Sequence, residues 1–247
     1  MVRSANNGPV RPKPDPGAAF TPPVEHGLWN DELITKYHAV MARPRKFDEA
    51  EVVQAARDQF WLHGFNGTSL DDLTDVTGLG RGSLYAAFTD KRTLYLRAID
   101  DYATALTDQV LADLRVPDKG GRDRLVDHIR AVTKLLTADT KSRGCLMAKS
   151  AAEMGATDKE VARRVRKWLA GYQRDIAEAI RVAQRDGDID PDADPDELAL
   201  LILALLRGAE ALRKGGMPPR AIVAVAEQAI ALLRPAPLYA VRTPQCV

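Results

Sequence analysis

The hydrophobic positions of the chain recur at the one-turn spacing of α-helices from residue 48 onward, and no convincing strand-like alternation appears. Helical patterns cover residues 48–63, 69–77, 80–88, 91–114, 122–138, 145–154, 158–185, 195–214 and 218–233. Gly64 and Gly78 follow the first two patterns, whereas Pro195 and Pro218 stand at first-turn positions of the last two. The pattern therefore predicts an all-α protein.

Residues 69–88 have the features of two short helices joined by a tight turn. Ser69 and Asp72 have the spacing of a capping box, in which each side chain satisfies a free amide of the first turn. Gly78 follows the helix where a left-handed residue is wanted, and Leu79 is placed to fill the corner between the two helices. This arrangement is typical of a helix-turn-helix.

The outward face of the second helix is small or hydrogen-bonding, which suits a helix that lies in a DNA groove. Arg81 near the helix start is suited to donate to a guanine edge. Tyr85 and Lys91 are spaced to reach phosphates, and Thr68 and Ser69 are placed to hold another. The predicted DNA-contacting residues of this region are Thr68, Ser69, Arg81, Gly82, Ser83, Tyr85, Ala86 and Lys91.

The run from Phe47 to Leu94 resembles the DNA-binding domain of TetR-type (TetR/AcrR) transcriptional regulators. The matching features are Gly64-Phe65, Thr68-Ser69, Gly78-Leu79, Leu84-Tyr85, Phe88 and Lys91. Thr74 and Gly80 depart from the family pattern, and Gly80 leaves the start of the recognition helix less firmly fixed. The resemblance implies a regulator, most often a repressor, that binds a palindromic operator as a homodimer. It also implies release by a small effector, for which we expect an apolar or aromatic molecule.

Net charge is only +1 over 247 residues, so DNA binding has to come from a local patch. Acidic side chains dominate before the turn and basic ones after it, which is consistent with such a patch but also with ordinary solvated helix faces. Two alternative interpretations are a helical protein that binds small molecules but does not bind DNA, and a cysteine-dependent enzyme in which Cys145 pairs with His128.

The first 40 residues are rich in proline and poor in apolar side chains, which predicts disorder. Met41 resembles the start of many TetR-type chains, and we hypothesise that translation of the native protein begins there. Arg43, Arg45 and Lys46 precede the first helix and are predicted to reach a minor groove or a phosphate. The alternative is a terminus that only improves solubility.

The remaining chain is predicted to divide into a helix-turn-helix domain at 41–90, a helical ligand-binding and dimerisation domain at 91–235, and a tail at 236–247. The last two helices carry apolar stripes, and in TetR-type proteins the corresponding pair forms a four-helix bundle with its twin. The predicted interface residues are Leu198, Leu201, Ile202, Leu205, Ile222, Val225, Ala226 and Ala229. The alternative is a pair of core helices in a monomer.

The segment from Arg143 to Met154 resembles a Gly-Cys-Leu segment at the edge of the regulatory pocket in some family members. The candidate pocket residues are Cys145, Met147, Met154, Trp168 and Tyr172, and core packing is the interpretation that we favour for the last four. Cys145 is a candidate redox or electrophile sensor, a pocket wall or a small buried hydrophobe.

Motifs for cofactor, metal or membrane binding are missing from the sequence. The four histidines show no paired metal spacing, and neither cysteine belongs to a CxxC motif, so no cofactor, metal or enzymatic activity is predicted. The longest apolar run, 198–206, has 9 residues and is too short to cross a bilayer. Two isolated cysteines and the lack of a secretory signal predict a reduced cytoplasmic setting.

Overall fold

The computed structural model describes residues 47–141 and 143–233. Within these ranges the chain forms nine α-helices and no strand, which confirms the predicted all-α class. The helices are α1 (Glu49–His63), α2 (Leu70–Thr77), α3 (Arg81–Phe88), α4 (Lys91–Leu114), α5 (Gly121–Ala138), α6 (Leu146–Met154), α7 (Lys159–Arg185), α8 (Pro195–Lys214) and α9 (Pro219–Leu232). Each lies within one or two residues of its predicted bounds.

The helix-turn-helix of α2 and α3 is built by local signals. The Ser69 hydroxyl accepts from the Asp72 amide while the Asp72 carboxylate accepts from the Ser69 amide, so the predicted capping box is present. Gly78 ends α2 with φ of 67°, a left-handed conformation that costs glycine nothing. The N-cap of α3, Gly80, provides no side-chain cap, as expected from its departure from the family pattern.

Helices α1 to α3 pack around a small aromatic and aliphatic core. Its fully buried members are Phe60, Leu73, Leu84 and Phe88, and Phe47, Phe65 and Leu79 are half-buried against them. Phe60 and Phe65 both contact the ring of Tyr95 from α4, with centroids 4.9 and 5.0 Å from it. The core of the helix-turn-helix is therefore continuous with the first long helix of the body.

Helix α4 joins the helix-turn-helix to the larger helical body. It packs against α1 on one side and α7 on the other. Arg92 of α4 pairs with Asp158, the N-cap residue of α7, and Asp100 of α4 pairs with Arg164 of α7. These ion pairs join the two helices at two positions along their length. These contacts link the helix-turn-helix closely to the body. The domain boundary between residues 90 and 91 stays a prediction.

The predicted dimer stripe is only partly at the surface. Ile202, Ile222, Ala226 and Ala229 are buried within the chain, and for these residues the predicted contact with a partner subunit is wrong. They face inward because α8 and α9 pack on each other and on α5. Leu198, Leu205 and Val225 are half-buried, and Leu201 is 55% exposed.

In the described part of the chain, no helix combines the length and hydropathy that crossing a bilayer requires.

Candidate functional site

The outer face of α3 is open to solvent over its whole length. Arg81, Gly82, Ser83, Tyr85 and Ala86 are all exposed, and Tyr85 presents 48% of its surface. A methyl group added at Gly82 would meet no atom within 4 Å. Leu84 and Phe88 on the opposite face fasten the helix to the core. The helix thus offers a thin surface with hydrogen-bonding side chains near its start.

Arg81 is paired with an acidic residue of the preceding helix. Its guanidinium donates from Nε and Nη2 to Oδ1 of Asp71, at 3.1 and 2.6 Å. Both side chains are exposed, and the hydrogen bond and charge of Asp71 raise the pKa of Arg81 above its ordinary value. Asp71 therefore competes with any other acceptor for Nε and Nη2 of Arg81.

Two predicted phosphate contacts are used inside the protein instead. Thr68 is 1% exposed and its hydroxyl donates to the carbonyl of Gly64 at 2.7 Å, so the prediction that its hydroxyl reaches DNA is wrong. The Lys91 ammonium donates to the carbonyls of Phe65 and Thr68 at 2.8 and 2.7 Å and lies over the Phe65 ring. Lys91 therefore stabilises the loop between α1 and α2, and burial lowers its pKa.

Ser69 is exposed at the start of α2, where its hydroxyl donates to the Asp72 carboxylate at 2.7 Å and accepts from the Asp72 amide at 3.0 Å. The predicted arm residues Arg43, Arg45 and Lys46 lie outside the described residues.

Helix α6 of the body holds the end of α1 by a pair of polar contacts that the sequence did not predict. Lys149 Nζ donates to the carbonyls of Trp61 and Leu62 at 2.6 and 2.9 Å. Glu153 accepts from the amides of Phe65 and Asn66, both at 2.8 Å. The ammonium satisfies carbonyls left free at the C-terminal end of α1, and the carboxylate satisfies two amides of the loop that follows it. We call this pair the α1–α6 contact.

The five predicted pocket residues lie in the core. Cys145, Met147, Met154, Trp168 and Tyr172 are all buried, and the Trp168 and Tyr172 rings are 5.5 Å apart. The thiol of Cys145 is therefore not the exposed group that a redox or electrophile sensor needs.

A buried polar chain runs beside these aromatic residues. His128 Nδ1 lies 2.8 Å from Asp113 Oδ2, and Nε2 lies 2.6 Å from the Tyr172 hydroxyl. Because the carboxylate accepts, Nδ1 carries the proton and Nε2 accepts from Tyr172. Burial lowers the pKa of His128 although Asp113 opposes the shift. Both ring nitrogens are thus occupied, and the catalytic pair of Cys145 with His128 is not formed.

An open cleft of about 470 Å³ lies between the end of α1 and the body. Helices α6 and α8 supply most of its wall. Its lining residues are His63, Gly64, Ala148, Lys149, Ala152, Glu153, Arg207, Glu210, Ala211 and Lys214. None of the five predicted pocket residues lines this cleft. The described residues contain no cluster of three or more side chains suited to hold a metal ion.

A helix-turn-helix with an exposed, small-residue second helix on a helical body defines a DNA-binding type of regulator. Residues 52–98 match the family "Bacterial regulatory proteins, tetR family", and residues 121–229 match "Tetracyclin repressor-like, C-terminal domain". The chain belongs to the TetR family of transcriptional regulators.

Individual relatives agree with this assignment. The transcriptional repressor ComR of Escherichia coli is 28% identical over 166 residues, which cover 67% of this chain and 79% of ComR. The regulator AcuR of Cereibacter sphaeroides is 27% identical over 165 residues, covering 64% and 74%. A solved structure of the TetR-family regulator CifR, a cysteine mutant complexed with 26-base-pair operator DNA, is 30% identical. Its TM-score is 0.67, and the match covers 78% of this chain and all of CifR.

Proposed function

We propose that this protein is a cytoplasmic transcriptional repressor that binds a palindromic operator as a homodimer and is released by a small effector. The observation that carries the proposal is the exposed face of α3, where an arginine, a serine and a tyrosine surround small side chains on a rigid core. An α-helix with this profile fits the floor of the major groove. The DNA complex of the similar regulator CifR supports the same use of the fold.

Base contact and phosphate contact are divided among different residues. Arg81 is the candidate for a guanine edge, with Gly82 and Ala86 permitting close approach. Tyr85 and Ser69 are exposed at the margins and serve as phosphate contacts. Arg81 pairs with Asp71 in the free protein, so breaking this pair reduces the net gain from any DNA contact. A DNA site without a guanine opposite Arg81 therefore gains little binding energy from this residue. The pair thus favours the correct site over the wrong one.

The remaining apolar surface of α8 and α9 is the proposed dimer interface. Six of the eleven exposed large hydrophobic side chains in the described ranges lie on α8, on α9 or in the turn between them: Leu200, Leu201, Leu212, Met217, Val223 and Leu232. Ala204 and Gly208, both exposed on α8, are small residues that permit close helix approach. A concentration of exposed apolar side chains on two neighbouring helices is typical of a surface that contacts another protein. Leu201 is retained from the predicted interface, and the neighbouring exposed residues extend it.

Release by an effector requires a link between the body and α3. The α1–α6 contact supplies one, because α6 lines the cleft and also holds the loop that leads to α2. An effector that binds better to a conformation in which the two helix-turn-helix domains are displaced shifts the population away from the DNA-binding conformation.

Selection of bound sequences from random duplex DNA tests the proposal. We expect a palindromic consensus, salt-dependent affinity and weaker, less selective binding by Arg81→Ala. Arg166→Ala, at an exposed position on α7, is the matched control and should bind as wild type does. A wild-type protein that enriches no sequence at low salt would instead favour the helical ligand-binding alternative.

A further inference from the structure

The two residues between α3 and α4 form a very tight and strained turn. Thr89 has φ of 65° and ψ of −55°, and the amide of Asp90 donates to the carbonyl of Phe88 at 2.7 Å. These features define a γ-turn with a positive φ, a conformation that is rare in proteins. Threonine is poorly suited to it, because a branched side chain crowds the backbone in this region.

Both ends of this turn are anchored to the rest of the protein. Phe88 is 2% exposed, and the Arg97 guanidinium lies 5.4 Å from the centroid of its ring. Asp90 is the N-cap residue of α4, where its carboxylate accepts from the Thr93 amide at 2.6 Å. A strained residue persists only where its surroundings determine its conformation. The anchored ends therefore hold Thr89 in its strained conformation.

The other end of α3 is held more loosely. The turn before it contains Gly78 and Gly80, and a methyl group added at either position would meet no atom within 4 Å. Gly80 also gives α3 no side-chain cap, and only Leu84 and Phe88 of this helix are buried. Because glycine adopts a wide range of backbone conformations, this turn restrains the direction of α3 very little. The link through Thr89 is therefore the stiffer of the two connections.

We propose that Thr89 is a positioning residue for DNA recognition, because its restricted backbone fixes the direction of α3 relative to α4. This inference rests on the proposed function, in which α3 is the helix that reads DNA. A helix that is already held in its binding direction loses less conformational freedom when it enters the groove. Glycine at position 89 would relieve the strain but would also let α3 sample other directions.

The same stiff link connects α3 to the body. Arg92, in the first turn of α4, pairs with Asp158 at the start of α7. Between this ion pair and the end of α3 the chain has no flexible residue, since Thr89 is strained and Asp90 caps α4. A shift of α4 relative to the DNA is therefore passed on to α3 and is not absorbed in the turn.

Thr89→Gly in the full-length protein tests the inference. The variant should be at least as stable as wild type in urea denaturation, because glycine adopts a positive φ without steric cost. It should nevertheless bind the selected palindromic duplex roughly three- to tenfold more weakly in an anisotropy titration. A residue needed only for folding would lower stability and affinity together, so opposite changes identify a positioning role.

Two variants serve as controls. Thr89→Ala removes the hydroxyl but keeps the Cβ that restricts φ, and it should bind the duplex within about twofold of wild type. Asp118→Gly relaxes the other non-glycine residue with a positive φ among those described, at 58° in the turn after α4. Because this turn does not adjoin α3, Asp118→Gly should leave DNA binding unchanged.

Hydrogen exchange measured by mass spectrometry gives a second readout without DNA. Peptides that cover α3 should exchange faster in Thr89→Gly than in wild type, whereas peptides that cover α1 should not change. The inference is overturned if Thr89→Gly is less stable than wild type, binds DNA equally well, or leaves the exchange of α3 unchanged. Equally weak binding by Thr89→Ala also overturns it and indicates a lost hydroxyl contact. A wild-type protein that binds no duplex would count against the proposed function, and faster exchange of α3 in Thr89→Gly would still support the stiff link.

Discussion

Replacing Glu153 by alanine removes both hydrogen bonds by which α6 holds the loop after α1. The carboxylate accepts from the amides of Phe65 and Asn66, each at 2.8 Å, and the Phe65 bond is partly buried. A hydrogen bond to a charged group contributes about 1.5–3 kcal/mol, and the exposed Asn66 bond contributes less. We therefore expect Glu153→Ala to lower the free energy of unfolding by about 2–4 kcal/mol.

Glu153→Gln separates the two bonds. The amide oxygen still accepts one hydrogen bond, but the amide nitrogen is a donor and repels the second backbone N–H. The expected loss is about half that of the alanine variant, roughly 1–2 kcal/mol. Glu227→Ala is the matched control, because it removes an exposed carboxylate paired with Arg130 and should leave stability unchanged.

Urea denaturation monitored by circular dichroism measures these differences, provided that the slope of the transition is unchanged. Lys149→Met, alone and combined with Glu153→Ala, completes a double-mutant cycle. Because both residues hold the same end of α1, we expect a coupling of more than about 0.5 kcal/mol. If the free energy of unfolding of Glu153→Ala lies within about 0.5 kcal/mol of the wild-type value, the α1–α6 contact does not stabilise the helix-turn-helix domain.

Three further changes test other parts of the structure. Gly82→Ala should stabilise the protein by about 0.5–1 kcal/mol in urea denaturation, because alanine favours a helix and meets no neighbour, yet it should weaken operator binding in a fluorescence anisotropy titration. Equal or tighter operator binding would contradict a close fit of α3 in the groove. Leu201→Glu should convert the proposed homodimer to a monomer in sedimentation velocity, whereas Leu135→Glu, at a position of α5 that is 63% exposed, should not. A dimeric Leu201→Glu protein would place the interface elsewhere. The pKa of His128 is lower in the folded protein than in the unfolded chain, so the unfolded chain takes up a proton at this residue first as pH falls. The neutral, buried His128 therefore contributes its full stability above about pH 6.5. That contribution is lost as pH falls toward the folded pKa. In urea denaturation, His128→Gln should lose less stability than wild type across that interval, and parallel curves would refute the assignment.

The local features of the fold were predictable from the sequence. The capping box of Ser69 and Asp72, the left-handed Gly78 and the end of α1 at Gly64 depend on residues a few positions apart. Such signals need no knowledge of tertiary packing. The exposed face of α3 was predictable for the same reason, because Leu84 and Phe88 fix which side turns inward.

Features that depend on distant residues were not predictable. The stripe on α8 shows its periodicity, but a helix that is apolar on several sides does not reveal which side meets α9 and which meets solvent. Ile202 and Leu201 are adjacent in sequence, and the structure buries the first and exposes the second. Lys91 was expected at a phosphate because nothing local shows the two carbonyls that receive its ammonium.

The contact between Arg207 and Trp168 was not predictable for a similar reason. Arg207 and Trp168 lie on different helices, and only packing brings the guanidinium over the indole. The predicted pocket residues were selected by residue type, which does not distinguish a cavity wall from a filled core.

We propose that the outer face of α3 reads DNA, and anisotropy titration of the selected palindromic duplex is the most direct test. We predict saturable binding of two chains per duplex, with affinity that falls steeply as salt rises. Arg81→Ala should weaken binding to this duplex by roughly 10- to 100-fold and reduce the preference over a duplex changed at one base pair. Equal affinity of wild type and Arg81→Ala for both duplexes would contradict the account.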